Sequence, residues 1–185
     1  ERCRRAGLKV VQTREPGGSA ISEEIRKLLL DPSNREMCPE AEALLYAAAR
    51  TQHVNELIRP AVERGEIVIC DRFMDSSIAY QGYGRGLGDD VRKINEFAVG
   101  GMSPDLTFFF DIDPAGGLAR ARSHSAPDRL EQETMDFHKR VYEGYLALAG
   151  IYPERFVRID ASAGIAEIAE QVAEVFDRYV AERTV

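Results

Sequence analysis

Four short runs rich in apolar, β-branched and aromatic residues punctuate the chain: Lys9 to Thr13, Ile67 to Asp71, Leu106 to Ile112 and Phe156 to Asp160. Their length and composition predict strands. Ile67-Val68-Ile69-Cys70 and Leu106-Thr107-Phe108-Phe109-Phe110 are almost continuously apolar, the pattern of strands covered by helices on both faces, so these two are expected to be central. Between the runs the period becomes helical. Ser19 or Ser22 is the expected N-cap of a helix that turns Ile21, Ile25, Leu28 and Leu29 to the core. Further helices are predicted over Glu40 to Arg64, Asp89 to Gly100, Glu131 to Ala149 and Ile165 to Arg183. The last carries a stripe of Ile165, Ile168, Val172, Val175, Phe176 and Tyr179 that should pack on the sheet.

Strands that alternate with helices predict one α/β domain over residues 1–185, a parallel sheet with helices on both faces. Ligands of such sheets bind beyond the carboxyl ends of the strands. The segments to inspect are therefore Arg14 to Gly18, Asp71-Arg72-Phe73, Asp111 to Pro114 and Asp160-Ala161-Ser162.

At 185 residues the chain can bury roughly 70% of its unfolded surface, enough for one core without staples. Cys3, Cys38 and Cys70 lie far apart and include no C-x-x-C pair, so neither a zinc site nor a disulfide framework is suggested, and a reducing, cytoplasmic setting is expected. No apolar run reaches the roughly 18 residues of a membrane helix, and Glu1 to Arg5 lacks the apolar core of a signal peptide. Lys plus Arg number 24 against 31 Asp plus Glu, a net charge of −7, so a broad nucleic-acid surface is excluded and any anion must meet a local group of arginines.

Such arginines stand where ligands bind. Asp71-Arg72 closes an apolar strand with a carboxylate that can hold Mg²⁺ through its waters and a guanidinium fork that can grip phosphate. In Arg14 to Gly18 the glycines permit close backbone approach. Arg26, further along the next helix, can reach back to this loop. Tyr46 and Arg50 share a helix face, a ring to stack on a base and a donor to its carbonyl. Ser77 and Gln81 share another face, and a Gln amide both donates and accepts. Arg120, Arg122 and Arg129 flank a polar, Pro-containing insert that can act as a lid over transferring phosphate. Each segment alone also fits a solvated turn, a core ring or an exposed loop. His53, His124 and His138 stand in no nucleophile spacing, and no G-x-S-x-G elbow occurs.

Taken in order, the segments resemble the thymidylate kinase family. The matching strings are Thr13-Arg14-Glu15-Pro16-Gly17-Gly18, Glu23-Glu24-Ile25-Arg26, Glu42 to Arg50, Asp71 to Gly82, Ser103 to Thr107 and Asp128-Arg129-Leu130-Glu131-Gln132-Glu133, and they span nearly the whole chain. The resemblance implies a P-loop kinase fold and transfer of the ATP γ-phosphoryl group to dTMP, with Mg²⁺ as cofactor, in a homodimer. It implies that Arg26 and Arg72 clamp the dTMP phosphate, Tyr46 stacks on thymine, Arg50, Ser77 and Gln81 read the base edge beside Tyr80, and Glu15 lies near the sugar and reacting phosphates. Asp71 would support Mg²⁺. In relatives whose lid carries three alternate arginines the third falls at His124 here, so the catalytic lid arginine is either Arg122 or Arg129, within a lid of about residues 120–133.

No G-x-x-x-x-G-K-S/T loop occurs in these residues. In the family that loop precedes the helix whose tail is Glu1 to Gly7, and the first strand lies centrally, between the Ile67 and Leu106 strands. The native protein is therefore expected to carry a segment before Glu1, and residues 1–185 alone are expected to show little turnover. Competing readings are a kinase of another nucleoside monophosphate and a non-catalytic nucleotide-binding or dimerisation module.

Overall fold

Strand β1 (Val10–Arg14) runs parallel to β2 (Ile67–Asp71), with Val10 opposite Ile67 and Arg14 opposite Asp71. Strand β3 (Thr107–Asp111) runs parallel to β4 (Phe156–Asp160), with Asp111 opposite Asp160. The computed structural model describes residues 2–123 and 126–183, so His124 of the expected lid lies outside the described residues. The helices are α1 (Arg2–Arg5), α2 (Ala20–Leu30), α3 (Pro39–His53), α4 (Arg59–Glu63), α5 (Met74–Ser77), α6 (Asp89–Val99), α7 (Pro114–Arg122), α8 (Met135–Ile151) and α9 (Ile165–Arg183). All strand pairing is parallel and the fold is α/β, as the alternation of periods predicts.

Among the described residues β2 and β3 do not pair with each other; the resemblance places a further strand between the two. The strands form two separate two-stranded sheets, and β2 and β3 each use one edge. Ile69 and Phe110 accordingly remain 44% and 51% exposed. An apolar run reports how a strand's two faces are covered; it carries no information on whether its edges are paired.

Local chemistry also moved several boundaries. The predicted long helix from Glu40 divides into α3, a π-helical turn at Val54–Ile58 and α4. Pro60 at the start of α4 has no N–H for a regular ladder, and the Arg59 N–H donates to Val54 five residues back. Helix α8 starts at Met135, not Glu131. Asp128 accepts from the Leu130 and Glu131 N–H groups at 2.9 Å, which closes a turn, and Thr134 caps Phe137. Helix α7 was not anticipated, although Asp113 caps Gly116 at 3.0 Å with Pro114 in the first turn. The α2 stripe is half right: Leu29 is fully buried, whereas Ile21 and Leu28 are exposed. In α9, Ile165 is 89% exposed and the remainder of its stripe is half-buried.

The apolar core joins Leu29, Tyr46, Ile78, Ala79, Phe109, Leu130, Phe137, Val141, Leu148 and Phe156. Across the two sheets runs a buried ion pair. Arg155, just before β4, donates through Nη1 and Nη2 to both Asp75 oxygens at 2.7 Å, and its Nη1 also reaches Thr107 at 3.0 Å. Asp75 lies on α5, beyond β2, so this fork fixes the β3–β4 pair against the element that carries the site.

Candidate active site

Glu42, Tyr46 and Arg50 stand at intervals of four residues along α3, which puts them on one face. Opposite them Ser77 and Gln81 have the same spacing, Ser77 ending α5 and Gln81 in the π-helical segment Ile78–Gly84. The two faces bond in register. Arg50 Nη1 donates to Ser77 Oγ at 2.9 Å, and Gln81 Nε2 donates to Glu42 Oε1 at 2.8 Å. Tyr46 lies between these contacts at 3% exposure, and its hydroxyl has no hydrogen-bond partner among the described residues. Burial pushes that hydroxyl's pKa up to about 12, so it is a neutral donor at physiological pH. An unpaired buried hydroxyl costs about 1–3 kcal/mol, a penalty that a ligand oxygen would relieve.

The loop after β1 orders Arg50. The Glu15 N–H donates to Asp71 O at 2.9 Å, so the loop leaves the sheet where β2 ends. Glu15 Oε2 accepts from Arg50 Nε at 2.6 Å and Oε1 meets His53 Nδ1 at 3.0 Å. His53 Nε2 in turn lies 2.7 Å from Thr13 Oγ1. Because the carboxylate can only accept, the His53 proton sits on Nδ1. Arg50 Nη1 also donates to Asn95 Oδ1 from α6. Gly18 has φ +85°, and a Cβ there would collide with the His53 ring and lie 2.6 Å from Thr13 Oγ1. Glu23 closes the loop by accepting from the Gly18 N–H at 2.9 Å and from Arg14.

At the end of β2, Arg72 takes φ +68°, the left-handed region that costs a non-glycine residue about 1 kcal/mol or more. The turn lays its guanidinium 4.5 Å from the Tyr80 ring centroid. Among the described residues no carboxylate pairs with it. Burial works against its charge, but the Tyr80, Tyr145 and Tyr46 oxygens and the Asp128 carboxylate outweigh that and raise its pKa further, so it stays cationic. Arg72 and Tyr80 line a cavity of about 250 Å³ with Asp128, His138, Tyr142 and Tyr145. Among the described residues His138 Nε2 is buried without a hydrogen-bond partner, and desolvation lowers its pKa. The cavity therefore combines a cation that no described carboxylate pairs with and one unsatisfied polar atom, a combination that suits an anionic ligand.

The other expected site residues are placed differently. Arg26 reaches back to the loop, donating to Pro16 O at 2.7 Å. Arg129 is buried: Nη1 lies 2.7 Å from Glu42 Oε2, and Nε donates to Leu29 O at 2.8 Å. In this state it ties the end of the lid segment to α2 and α3. Arg120 bonds Ala161 O, and Arg122 is exposed at the end of α7. Asp71 is exposed, with no side-chain hydrogen bond or ion pair among the described residues, and is open to a hydrated cation. Glu15, His53 and Cys70 bring ligand atoms within 4.8 Å of one another, but both carboxylate oxygens and both ring nitrogens are already bonded. The Cys70 thiol, pushed up by burial, donates to Arg72 O.

The thymidylate kinase family model matches residues 1–172. The chain is 54% identical over 173 residues to the thymidylate kinase of Lactobacillus helveticus (strain DPC 4571), covering 92% of this chain and 82% of the relative. It is 55% identical over 163 residues to that of Lactobacillus acidophilus (strain ATCC 700396 / NCK56 / N2 / NCFM), covering 86% and 76%. Against that of Bacillus pumilus (strain SAFR-032) it is 49% identical over 178 residues, covering 95% and 84%. The chain belongs to the thymidylate kinase family.

In this thymidylate kinase family member the structure gathers Tyr46, Arg50, Ser77 and Gln81 on facing helices, sets Glu15 under Arg50, and turns Arg72 and Tyr80 into the adjoining cavity. Sequence reasoning missed Glu42, His53, Asn95 and Arg85, which hold these side chains in place. Glu42 had a usable signal, its four-residue spacing ahead of Tyr46 and Arg50. Asn95 and His53 had none within their own segments.

Proposed function

We propose that the protein transfers the γ-phosphoryl group of ATP to dTMP. An oxygen of the dTMP phosphate attacks the γ-phosphorus in line, the bond to the β-phosphate oxygen breaks, and ADP leaves with dTDP formed. Such a transfer needs positioning and charge neutralisation more than covalent help from the protein. The observation that carries the reading is Arg72: half-buried, cationic, without a carboxylate partner among the described residues, and facing a cavity at the carboxyl end of a parallel strand. In this role it grips the dTMP phosphate, with Arg26 beside the loop.

Tyr46 stacks on thymine, Arg50 donates to a base carbonyl under the hold of Glu15, and Ser77, Tyr80 and Gln81 complete the base and sugar pocket. Residues 120–133 act as a lid within a single domain, with Arg122 free to meet ATP phosphates and Arg129 holding the lid's end. Asp71 fits Mg²⁺ through water, as an exposed, uncommitted carboxylate. Mg²⁺, when bound, neutralises phosphate charge. A homodimer is proposed from Ile21 and Leu28 on α2, Leu44 on α3 and Phe97 on α6, large apolar side chains exposed on neighbouring helices. The free thiols of Cys3, Cys38 and Cys70 suit a cytoplasmic place of work.

The test is coupled ADP release by the full-length protein with dTMP, dUMP, dCMP and dGMP. Turnover favouring dTMP, and lost in Arg72→Ala, supports the reading. Binding without turnover would make the protein a nucleotide-binding module, and preference for another base would make it a different kinase.

A further inference from the structure

The Glu42 carboxylate is fully buried, and donors from three residues, Gln81, Arg85 and Arg129, occupy it. Oε1 accepts from Gln81 Nε2 at 2.8 Å and Arg85 Nε at 3.1 Å; Oε2 accepts from Arg85 Nη2 at 2.9 Å and faces Arg129 Nη1 at 2.7 Å. An ionised carboxylate has no proton to give. The Gln81 amide must therefore turn its NH₂ to Glu42 and its carbonyl oxygen away, an orientation decided by chemistry and not by shape. That oxygen accepts no hydrogen bond from the described residues. Arg85 is itself fixed from both sides, 4.7 Å from the Phe137 ring centroid and 2.6 Å from Glu133, so the acceptor end of the network cannot easily rotate.

We propose that Glu42 is a specificity-determining positioning residue: by holding the Gln81 NH₂ it presents an acceptor to the pyrimidine edge and so selects a base with a donor at N3. Thymine carries N3–H, whereas cytosine has a bare lone pair there, which faces the Gln81 oxygen with repulsion. The inference rests on the dTMP kinase reading and on Gln81 meeting the base. A site built to pair a specific polar group discriminates far more strongly than an apolar pocket, because the mismatched base leaves buried groups unpaired.

Glu42→Gln separates this role from a structural one. Its carbonyl oxygen stays with the two arginines, its NH₂ faces Gln81, and the Gln81 amide turns over. The ratio of kcat/KM for dTMP to that for dCMP is expected to fall about tenfold or more, while a purely structural loss lowers both substrates together. In a Gln81→Leu background the same substitution should leave the ratio unchanged to within about twofold. An unchanged ratio in folded Glu42→Gln, or a fall of the same size in the Gln81→Leu background, overturns the proposal.

If Glu42→Gln melts below the assay temperature, dTMP titration of the parent protein labelled with ¹⁵N-glutamine decides. Gln81 NH₂ signals that stay in place support the hold by Glu42; signals that shift strongly, with cross-relaxation to the bound base, contradict it. Failure of the full-length parent to phosphorylate dTMP would defeat the kinase reading itself, whereas turnover with unaltered selectivity defeats only this inference.

Discussion

Glu15 accepts the Arg50 Nε–H at 2.6 Å with both side chains 2% exposed. Two charges so deeply buried are tolerated because each is fully engaged: Glu15 also by His53, Arg50 also by Ser77 and Asn95. The pair joins the loop after β1 to the Tyr46–Arg50 face of α3, so Glu15, expected near the sugar and phosphates, also fixes an arginine.

Glu15→Gln should therefore do two things. Removing one partner of a buried pair costs about 3–5 kcal/mol, visible as a lower melting temperature. Arg50, no longer held, should raise the KM for dTMP about tenfold or more with a smaller change in kcat, as loss of ground-state binding does. Steady-state kinetics at several dTMP concentrations check the split.

Gly18→Ala strikes the same network from the backbone side. The residue has φ +85°, and the added Cβ would drive His53 off Thr13 and Glu15. A loss of several kcal/mol is expected from the strain and the clash together, on the order of 10 °C in Tm. Thermal melting of Gly18→Ala beside Gly65→Ala is the comparison. Gly65 also has positive φ, at +71°, but nothing within 4 Å of an added Cβ, and should lose less.

Asp75→Asn should weaken the fork that joins α5 to the start of β4. Arg155 would be left buried against Tyr152 and Phe156 with its charge uncompensated. The expected cost is about 3–5 kcal/mol in denaturant melting. Arg155→Met, which removes the charge but keeps apolar bulk over the rings, should cost less than Asp75→Asn.

Glu42 sets a pH dependence. Burial alone would raise its carboxyl pKa, but hydrogen bonds from Arg85, Gln81 and Arg129 and the Arg85 charge bring it below the ordinary value of 4.5. A carboxyl depressed in the folded state contributes stability that is present above its unfolded pKa and lost as pH falls through the folded one. Melting temperature should fall as pH drops below about 5, through the unfolded-state carboxyl range, and the fall should be shallower in Glu42→Gln, which has no such proton to take up.

Much of the candidate site was legible because its residues sit at helical spacing within single segments. Tyr46 with Arg50 and Ser77 with Gln81 are each four apart, and periodicity alone places each pair on one face. Their supports were less legible. Glu42 keeps the same four-residue spacing, but in Glu40-Ala41-Glu42 it also reads as a solvated helix start. His53 reads as an inert core ring because its partners Glu15 and Thr13 lie 38 and 40 residues away. Asn95 lies 45 residues from Arg50 on an otherwise ordinary amphipathic helix. Sequence spacing reports contacts within an element; contacts between elements depend on how the elements pack.

The central claim is that Arg72 binds the phosphate of dTMP, and calorimetric titration of the parent protein and Arg72→Ala with dTMP and with thymidine tests it most directly. A charged hydrogen bond contributes about 1.5–3 kcal/mol, so loss of a forked pair should weaken dTMP binding by roughly a hundredfold or more while thymidine binding changes little. Equal weakening of both ligands, or dTMP affinity untouched by the substitution, would contradict it.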